Sequence, residues 1–110
     1  MTQSSKRLKP ESRVLELLIS NGFAIGIVFR GDKIEHFIIE KSDEGFARRI
    51  GDRSVLREVR KVVVKGEVSE STASILGAEM VKELPHERLL SNILEEILKL
   101  SGGIKDEVLS

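Results

Sequence analysis

The stretch FAIGIVFRGDKIEHFIIE, residues 23–40, decides the fold expected for this chain. Two runs of β-branched and aromatic residues flank Gly31-Asp32, and a two-residue loop with glycine in first place is typical of a type II′ hairpin turn. The sequence therefore predicts an antiparallel hairpin with strands at 23–30 and 33–40. Because an isolated hairpin is only marginally stable, we expect a third strand or helices to pack on it.

The turn also predicts a register for the hairpin. Residues directly opposite each other share one side of the ribbon, and six of them would form its core side: Phe29 with Ile34, Ile27 with His36, and Ile25 with Ile38. The other side would carry Phe37 opposite Gly26, where an aromatic ring can cover the bare backbone. This register places His36 in the core between two isoleucines.

A first helix is expected before the hairpin, from about 10 to 20, with Asn21-Gly22 as its end. Pro10 suits a first helical turn, and an apolar face follows: Val14, Leu15, Leu17, Leu18 and Ile19. After the hairpin, DEGFARRIG at 43–51 suits a short helix. Residues 53–60 fit either a helix or a strand. The β-branched run before Gly66 predicts a strand at 58–66 that pairs with the hairpin.

Two helices are expected in the C-terminal part. Ser69 or Ser71 can cap the first of them, and Pro85 marks its end. HERLLSNILEEILKLSGG, at 86–103, carries a broad apolar stripe closed by Gly102-Gly103. The order of elements predicts an α+β fold in which helices pack on one face of a small antiparallel sheet. The chain would comprise a flexible arm at 1–9, a single domain at 10–103 and a loose tail at 104–110.

The composition excludes several kinds of chemistry. The chain has 110 residues and no cysteine, so disulfides, thiolate metal sites and thiol catalysis are absent. No apolar run approaches the ~20 residues of a membrane span, and the polar start lacks a signal-peptide core, so a cytoplasmic protein without a membrane partner is expected. One Gln, two Asn and many charged residues are typical of a thermophilic protein.

No catalytic or cofactor motif is complete. GIVFRGDK lacks the spacing and the Ser or Thr of a phosphate-binding loop, and HERLL has Leu90 where a second zinc-binding histidine would stand. His86 is interpreted as a surface residue near a helix start. His36 leaves open a small enzyme that uses it as a base, as the third functional hypothesis. We expect no catalytic residues, metal or cofactor, and the chain is interpreted as a non-enzymatic protein.

Residues 46–66 carry seven basic and two acidic residues, although the whole chain has a net charge of zero. Basic residues recur every fourth position, which would align them on one side of a continuous helix or strand. The candidate contacts to nucleic acid or another anion are Arg48, Arg49, Arg53, Arg57, Arg60 and Lys61. The same residues could instead be solvated, or paired with the acidic C-terminal half, within one chain or across a dimer, or with an acidic protein partner.

The leading functional hypothesis is an interaction or assembly module that forms a homodimer. The last predicted helix has more large aliphatic residues than one small sheet obviously needs, and surplus apolar surface often marks a subunit interface. The predicted self-association residues are Leu90, Ile93, Leu94, Ile97 and Leu98. Nucleic-acid binding through the basic segment at 48–61 is the alternative.

Overall fold

The centre of the sheet is a strand, β1, at Arg13–Ser20. The computed structural model describes residues 12–109, with side chains described from 12 to 101. The helix expected at about 10–20 is therefore wrong over its described part. A strand with both faces covered is apolar at nearly every position, and periodicity alone does not separate it from a buried helix. Leu15, Leu17 and Ile19 enter the core on one face and Leu18 on the other.

Asn21-Gly22 forms a hairpin turn and not a helix end. Both residues have positive φ, 54° and 84°, as a type I′ turn requires, and asparagine followed by glycine is the commonest pair for it. The turn leads into β2, Phe23–Arg30, which pairs antiparallel with β1 over its whole length.

The hairpin predicted at 23–40 is confirmed. Strand β3, Lys33–Lys41, pairs antiparallel with β2, and Gly31 has φ 64°. The predicted register holds for Phe29 and Ile34, but a bulge then shifts the pairing by one residue. His36 consequently lies opposite Val28 and is exposed, and Gly26 faces Ile38 and not Phe37. The prediction of a core His36 is therefore wrong, because turn chemistry sets only the pairs next to the turn.

The segment at 46–66 contains three elements. Helix α1 spans Phe46–Gly51, a 3₁₀ helix spans Ser54–Glu58, and strand β4 spans Val59–Gly66. The strand expected at 58–66 is thus present, but it pairs parallel with β1 and not with the β2–β3 hairpin. Helical and extended conformations both occur within 53–60, in succession.

The C-terminal part begins with helix α2, Glu70–Leu76, capped by the Ser69 hydroxyl, which accepts from the Thr72 N–H. Gly77 ends this helix with φ 64°, and the short strand β5, Ala78–Met80, pairs parallel with β4. Helix α3 spans Glu87–Leu109. It continues through Gly102-Gly103, where the sequence predicted its end. The tail predicted at 104–110 and the domain limits stay predictions, and the arm at 1–9 lies outside the described residues.

The architecture is α+β, with a five-stranded mixed sheet in the order β3-β2-β1-β4-β5 and helices on both faces. Helices α1 and α2 pack on one face, around Leu17, Val64 and Ile38. Helix α3 packs on the other, around Ile27, Val63 and Leu90. The predictions of an all-antiparallel sheet and of helices on one face are corrected accordingly. The parallel pairs follow from two crossovers: the one through α1 returns the chain beside β1, and the one through α2 returns it beside β4.

Candidate interaction surface

Strand β3 is the long edge of the sheet, and one side of it is apolar and exposed. Ile34, Phe37 and Ile39 have 43%, 56% and 49% of their surface accessible. They lie opposite Phe29, Ile27 and Ile25, whose side chains are buried beneath α3. Because directly opposed residues share a face, all three exposed residues lie on the α3 side of the sheet. We call these three residues the β3 patch.

The β3 patch is exposed because α3 covers other strands. Helix α3 packs against β1 and β2. Its buried residues Leu90 and Leu94 contact the cluster that contains Leu18 and Ile27. On the opposite face, the side chain of Ile38 is buried in the core. Strand β3 is thus packed on one side and apolar but accessible on the other.

The backbone of β3 also has a free edge. The Ser42 N–H donates to the Gly22 carbonyl at 2.9 Å, so Ser42 and Gly22 form a hydrogen-bonded pair of the antiparallel ladder. Pairs alternate along such a ladder, so the backbone groups of Glu40, Ile38 and His36 point toward β2. Those of Phe37, Ile39 and Lys41 point away from the sheet. Outward N–H and C=O groups of this kind can pair with another strand.

Charged groups lie on the other face of β3, the face opposite the β3 patch. Arg49 Nε donates to Glu40 Oε1 at 2.9 Å, and Arg53 Nη2 donates to Glu40 Oε2 at 2.8 Å. These hydrogen bonds, the one from Arg49 first, lower the pKa of the Glu40 carboxyl. Arg49 also donates to Asp43 at 2.7 Å. The arginines therefore connect α1 and the following loop to β3.

A second carboxylate lies at the bulge of β3. Glu35 accepts from Arg13 Nε at 2.6 Å and lies 2.7 Å from Arg30 Nε. The hydrogen bond from Arg13 is the main cause that lowers the pKa of Glu35. Arg13 also reaches Glu58 at 3.2 Å. The extra residue of the bulge thereby joins β3 to β2, β1 and the 3₁₀ helix.

The six predicted anion contacts do not form one continuous row. Arg48 and Arg49 belong to α1, Arg53 precedes the 3₁₀ helix that contains Arg57, and Arg60 and Lys61 belong to β4. The chain changes conformation twice between them, so their four-residue spacing does not define a face. Arg49 and Arg53 bind Glu40, and Lys61 lies 3.7 Å from Glu79. Part of the basic segment is therefore engaged in ion pairs within the chain.

An open cavity of about 350 Å³ adjoins His36. It is lined by His36, Ser54, Val55, Arg57 and Glu58. The cavity lies between β3 and the 3₁₀ helix and combines a histidine, a hydroxyl and both signs of charge. It is the position in the described chain to which the third hypothesis, an enzyme that uses His36, applies.

The predicted self-association residues of α3 lie largely within the chain's own core. Leu90 and Leu94 are buried, and Ile93, Ile97 and Leu98 are partly buried against the same cluster. The sheet therefore accounts for most of the apolar stripe. Leu100, by contrast, is 67% exposed. Among the described residues, no helix is both long enough and apolar enough to cross a membrane.

Sequence reasoning missed one polar contact in the core. Glu16, in the middle of β1, is 2% exposed. It accepts the His86 backbone N–H at 2.9 Å, and its other oxygen lies 2.6 Å from His86 Nδ1. Phe29 stacks on the His86 ring with centroids 4.0 Å apart. The sequence did contain a signal for this contact: Glu16 is the single charged residue in the apolar run VLELLI. A carboxylate buried in such a strand needs a polar partner.

Comparison with known proteins identifies no family for this chain. No family model matches the chain, and no curated protein matches it. Among solved structures, the chain is similar to Archaeoglobus fulgidus Pelota, with 14% sequence identity and a TM-score of 0.48. The match covers 94% of this chain and 38% of the Pelota chain. A likeness at this level carries no argument, so the function is argued from the surface of the chain itself.

Proposed function

We propose that this chain is a non-enzymatic assembly module that forms a homodimer, and that its contact surface is the β3 patch. The observation that carries this proposal is the exposure of Ile34, Phe37 and Ile39 on one side of the long edge strand. Contiguous exposed apolar residues with charged neighbours are typical of protein interaction sites. A closed twofold dimer is the commonest way in which one chain covers such a surface.

We choose β3 as the contact surface because the apolar stripe of α3 is already packed on the chain's own sheet. The stripe of α3, the first candidate from sequence, holds the helix on its own sheet through Leu90 and Leu94. A dimer built on those two residues would have to remove them from the core. The residues of the β3 patch are accessible without any rearrangement, so association through β3 leaves the fold intact.

Sedimentation equilibrium over a range of protein concentrations tests the proposal. We expect the chain to sediment as a dimer at micromolar concentration and to dissociate on dilution. Phe37→Asp should weaken the association at least ~10-fold, because a charge would replace an aromatic ring at the centre of the interface. Circular dichroism should show that the variant remains folded.

Ile75→Asp is the matched control. Ile75 is 58% exposed, close to the value for Phe37, but it belongs to α2 on the opposite face of the sheet. This variant should sediment like the unaltered chain. A monomer at every concentration, or a dimer that tolerates both Phe37→Asp and Ile39→Asp, would contradict the proposal.

A further inference from the structure

The cavity between β3 and the 3₁₀ helix contains the groups of an anion site. We infer that it binds a small phosphorylated polyol, whose phosphate contacts Arg57, Ser54 and His36. A hydroxyl group of the same ligand contacts Glu58. The cavity has a volume of about 350 Å³, and these four residues line it together with Val55. It lies on the face of β3 opposite the β3 patch, so binding there does not require the dimer.

The bulge in β3 directs His36 toward this cavity. His36 lies opposite Val28, whose side chain is buried in the cluster beneath α1 and α2. Val55 of the 3₁₀ helix packs against the same cluster. Because directly opposed residues share a face, the His36 side chain lies on the side of the sheet that faces the 3₁₀ helix. Bulges re-aim side chains in this way and are frequent next to active sites.

The acidic groups beside the cavity already have cationic partners. Glu58 Oε1 lies 3.2 Å from Arg13 Nη1. Glu35 accepts from Arg13 Nε at 2.6 Å and lies 2.7 Å from Arg30 Nε. Together with Arg57, the group comprises three guanidinium groups and two carboxylates, a net charge of +1 before any charge on the histidine. This excess of positive charge favours an anionic ligand.

Three hydrogen-bond donors of the cavity are available to a ligand. Among residues 12–101, the side chains of Arg57, Ser54 and His36 form no ion pair and no hydrogen bond. A guanidinium group, a hydroxyl and an imidazole N–H can all donate to an oxyanion, and arginine does so with two parallel N–H groups. Because these donors come from both β3 and the 3₁₀ helix, they suit the tetrahedral oxygens of a phosphate better than a flat carboxylate.

The volume of the cavity and its other two side chains define the rest of the ligand. One water molecule occupies about 30 Å³ of the liquid, so the cavity accommodates roughly ten non-hydrogen atoms. A phosphate group uses about half of them. The Glu58 carboxylate accepts hydrogen bonds and donates none, so it suits a hydroxyl group, while Val55 supplies an apolar wall for carbon atoms. Glycerol 3-phosphate has this size and these groups and is the probe for the site.

Titration of the isotope-labelled chain with glycerol 3-phosphate, followed by NMR at constant ionic strength, tests the inference. We expect saturable shifts of the amides of Ser54, Val55 and Arg57, with a dissociation constant on the order of 5 mM for so small a ligand. Inorganic phosphate should bind about threefold more weakly, because it lacks the hydroxyl that contacts Glu58. Glycerol alone should cause no saturable shift of these amides.

Arg57→Gln should raise the dissociation constant at least ~10-fold, because it removes the charge and the paired N–H donors. Arg57→Lys retains the charge and should raise the dissociation constant by only about threefold. Arg48→Gln is the matched control, because Arg48 is an exposed arginine of α1 that does not line the cavity. This control should bind like the unaltered chain, and the amide spectrum shows whether each variant is folded.

Three results would overturn the inference. Shifts that remain linear with concentration, or equal losses of affinity in Arg57→Gln and Arg48→Gln, would show general screening of surface charge. Equal affinities for inorganic phosphate and glycerol 3-phosphate would exclude a polyol as the ligand. Tighter binding of a short single-stranded DNA that depends equally on Arg48 and Arg57 would favour nucleic-acid binding instead. Sedimentation of the dimer is a separate measurement, so the proposed function stands or fails independently of all three.

Discussion

Glu16 and His86 hold helix α3 against the central strand. Glu16 lies in the middle of β1, and His86 immediately precedes α3. One carboxylate accepts the His86 backbone N–H and contacts its ring, and Phe29 of β2 stacks on that ring. Lys65 of β4 forms an ion pair with Glu87, the first residue of α3. The start of α3 is therefore fixed to β1 and β4 by polar contacts and to β2 by the stacking of Phe29, next to a cluster that is otherwise apolar.

Glu16→Ala should lower the free energy of unfolding by about 3 kcal/mol. The substitution leaves the His86 N–H without its acceptor and leaves a cavity where the buried Glu16 side chain was. Glu16→Gln retains an acceptor for that N–H and should cost about 1 kcal/mol. Urea unfolding measures both. Glu44→Ala, at an exposed position, is the control and should change stability by less than about 0.5 kcal/mol; an equal loss in all three variants would contradict the role of Glu16.

Glu40 should make the free energy of unfolding depend on pH in the acidic range. Arg49 and Arg53 lower its pKa in the folded state, below the ~4.3 of a glutamate in an unfolded chain. Its contribution is therefore present above the unfolded pKa and is lost as the pH falls through the folded pKa.

Glu40→Gln should accordingly lower stability near neutral pH by about 1 kcal/mol, because both arginines are partly exposed. The difference between Glu40→Gln and the unaltered chain should shrink as urea unfolding is repeated toward about pH 3. Glu44→Gln, on the exposed loop nearby, should follow the pH profile of the unaltered chain. A constant difference between the Glu40→Gln variant and the unaltered chain at every pH would show that the ion pairs do not contribute.

Gly66→Ala should prevent stable folding. Gly66 ends β4 with φ 121°, and a Cβ there would lie 1.9 Å from the Ile19 carbonyl oxygen. That oxygen accepts the Glu67 N–H at 2.8 Å, so moving it away would break the end of the β1–β4 ladder. We expect a loss of more than about 4 kcal/mol. Gly51→Ala is the matched control, because no atom lies within 4 Å of its Cβ and α1 tolerates alanine; the Gly51 variant should melt at or above the temperature of the unaltered chain.

Ser69→Ala should destabilise α2 by about 1 kcal/mol. The Ser69 hydroxyl accepts the Thr72 N–H at 3.1 Å and is the N-cap of a helix of only seven residues. Ser74→Ala, at an exposed position within α2, should be neutral or slightly stabilising, because alanine is the better helix former. Thermal unfolding of the two variants should separate by several degrees, and coincident melting would show that the cap does not contribute.

The β2–β3 hairpin was predictable because its turn and its alternation are local features, as was the cap at Ser69. Strand β1 was not, because a strand buried on both faces and a buried helix have the same apolar composition. The pair Asn21-Gly22 indicated the correct structure, because Asn-Gly followed by a second β-branched run is the strongest short-range signal for a hairpin.

The candidate interaction surface was predictable only in part. The sequence indicated an apolar surplus, but which apolar residues remain exposed depends on where α3 docks. A bulge that no local pattern announces moved Phe37 opposite Ile27 and His36 out of the core. Glu16 had a local signal, a charge within an apolar strand, but its partner lies 70 residues away.

The parallel pairing of β1 with β4 sets an order of folding. Strands β1, β2 and β3 are joined by two-residue turns and can form from local contacts as soon as residue 41 has been synthesised. Until β4 arrives through α1 and the 3₁₀ helix, the most apolar strand of the sheet has an open edge. A nascent or partly unfolded chain therefore presents LELLI as a pairing template, and the rate at which β4 docks governs how long this chain is exposed to aggregation.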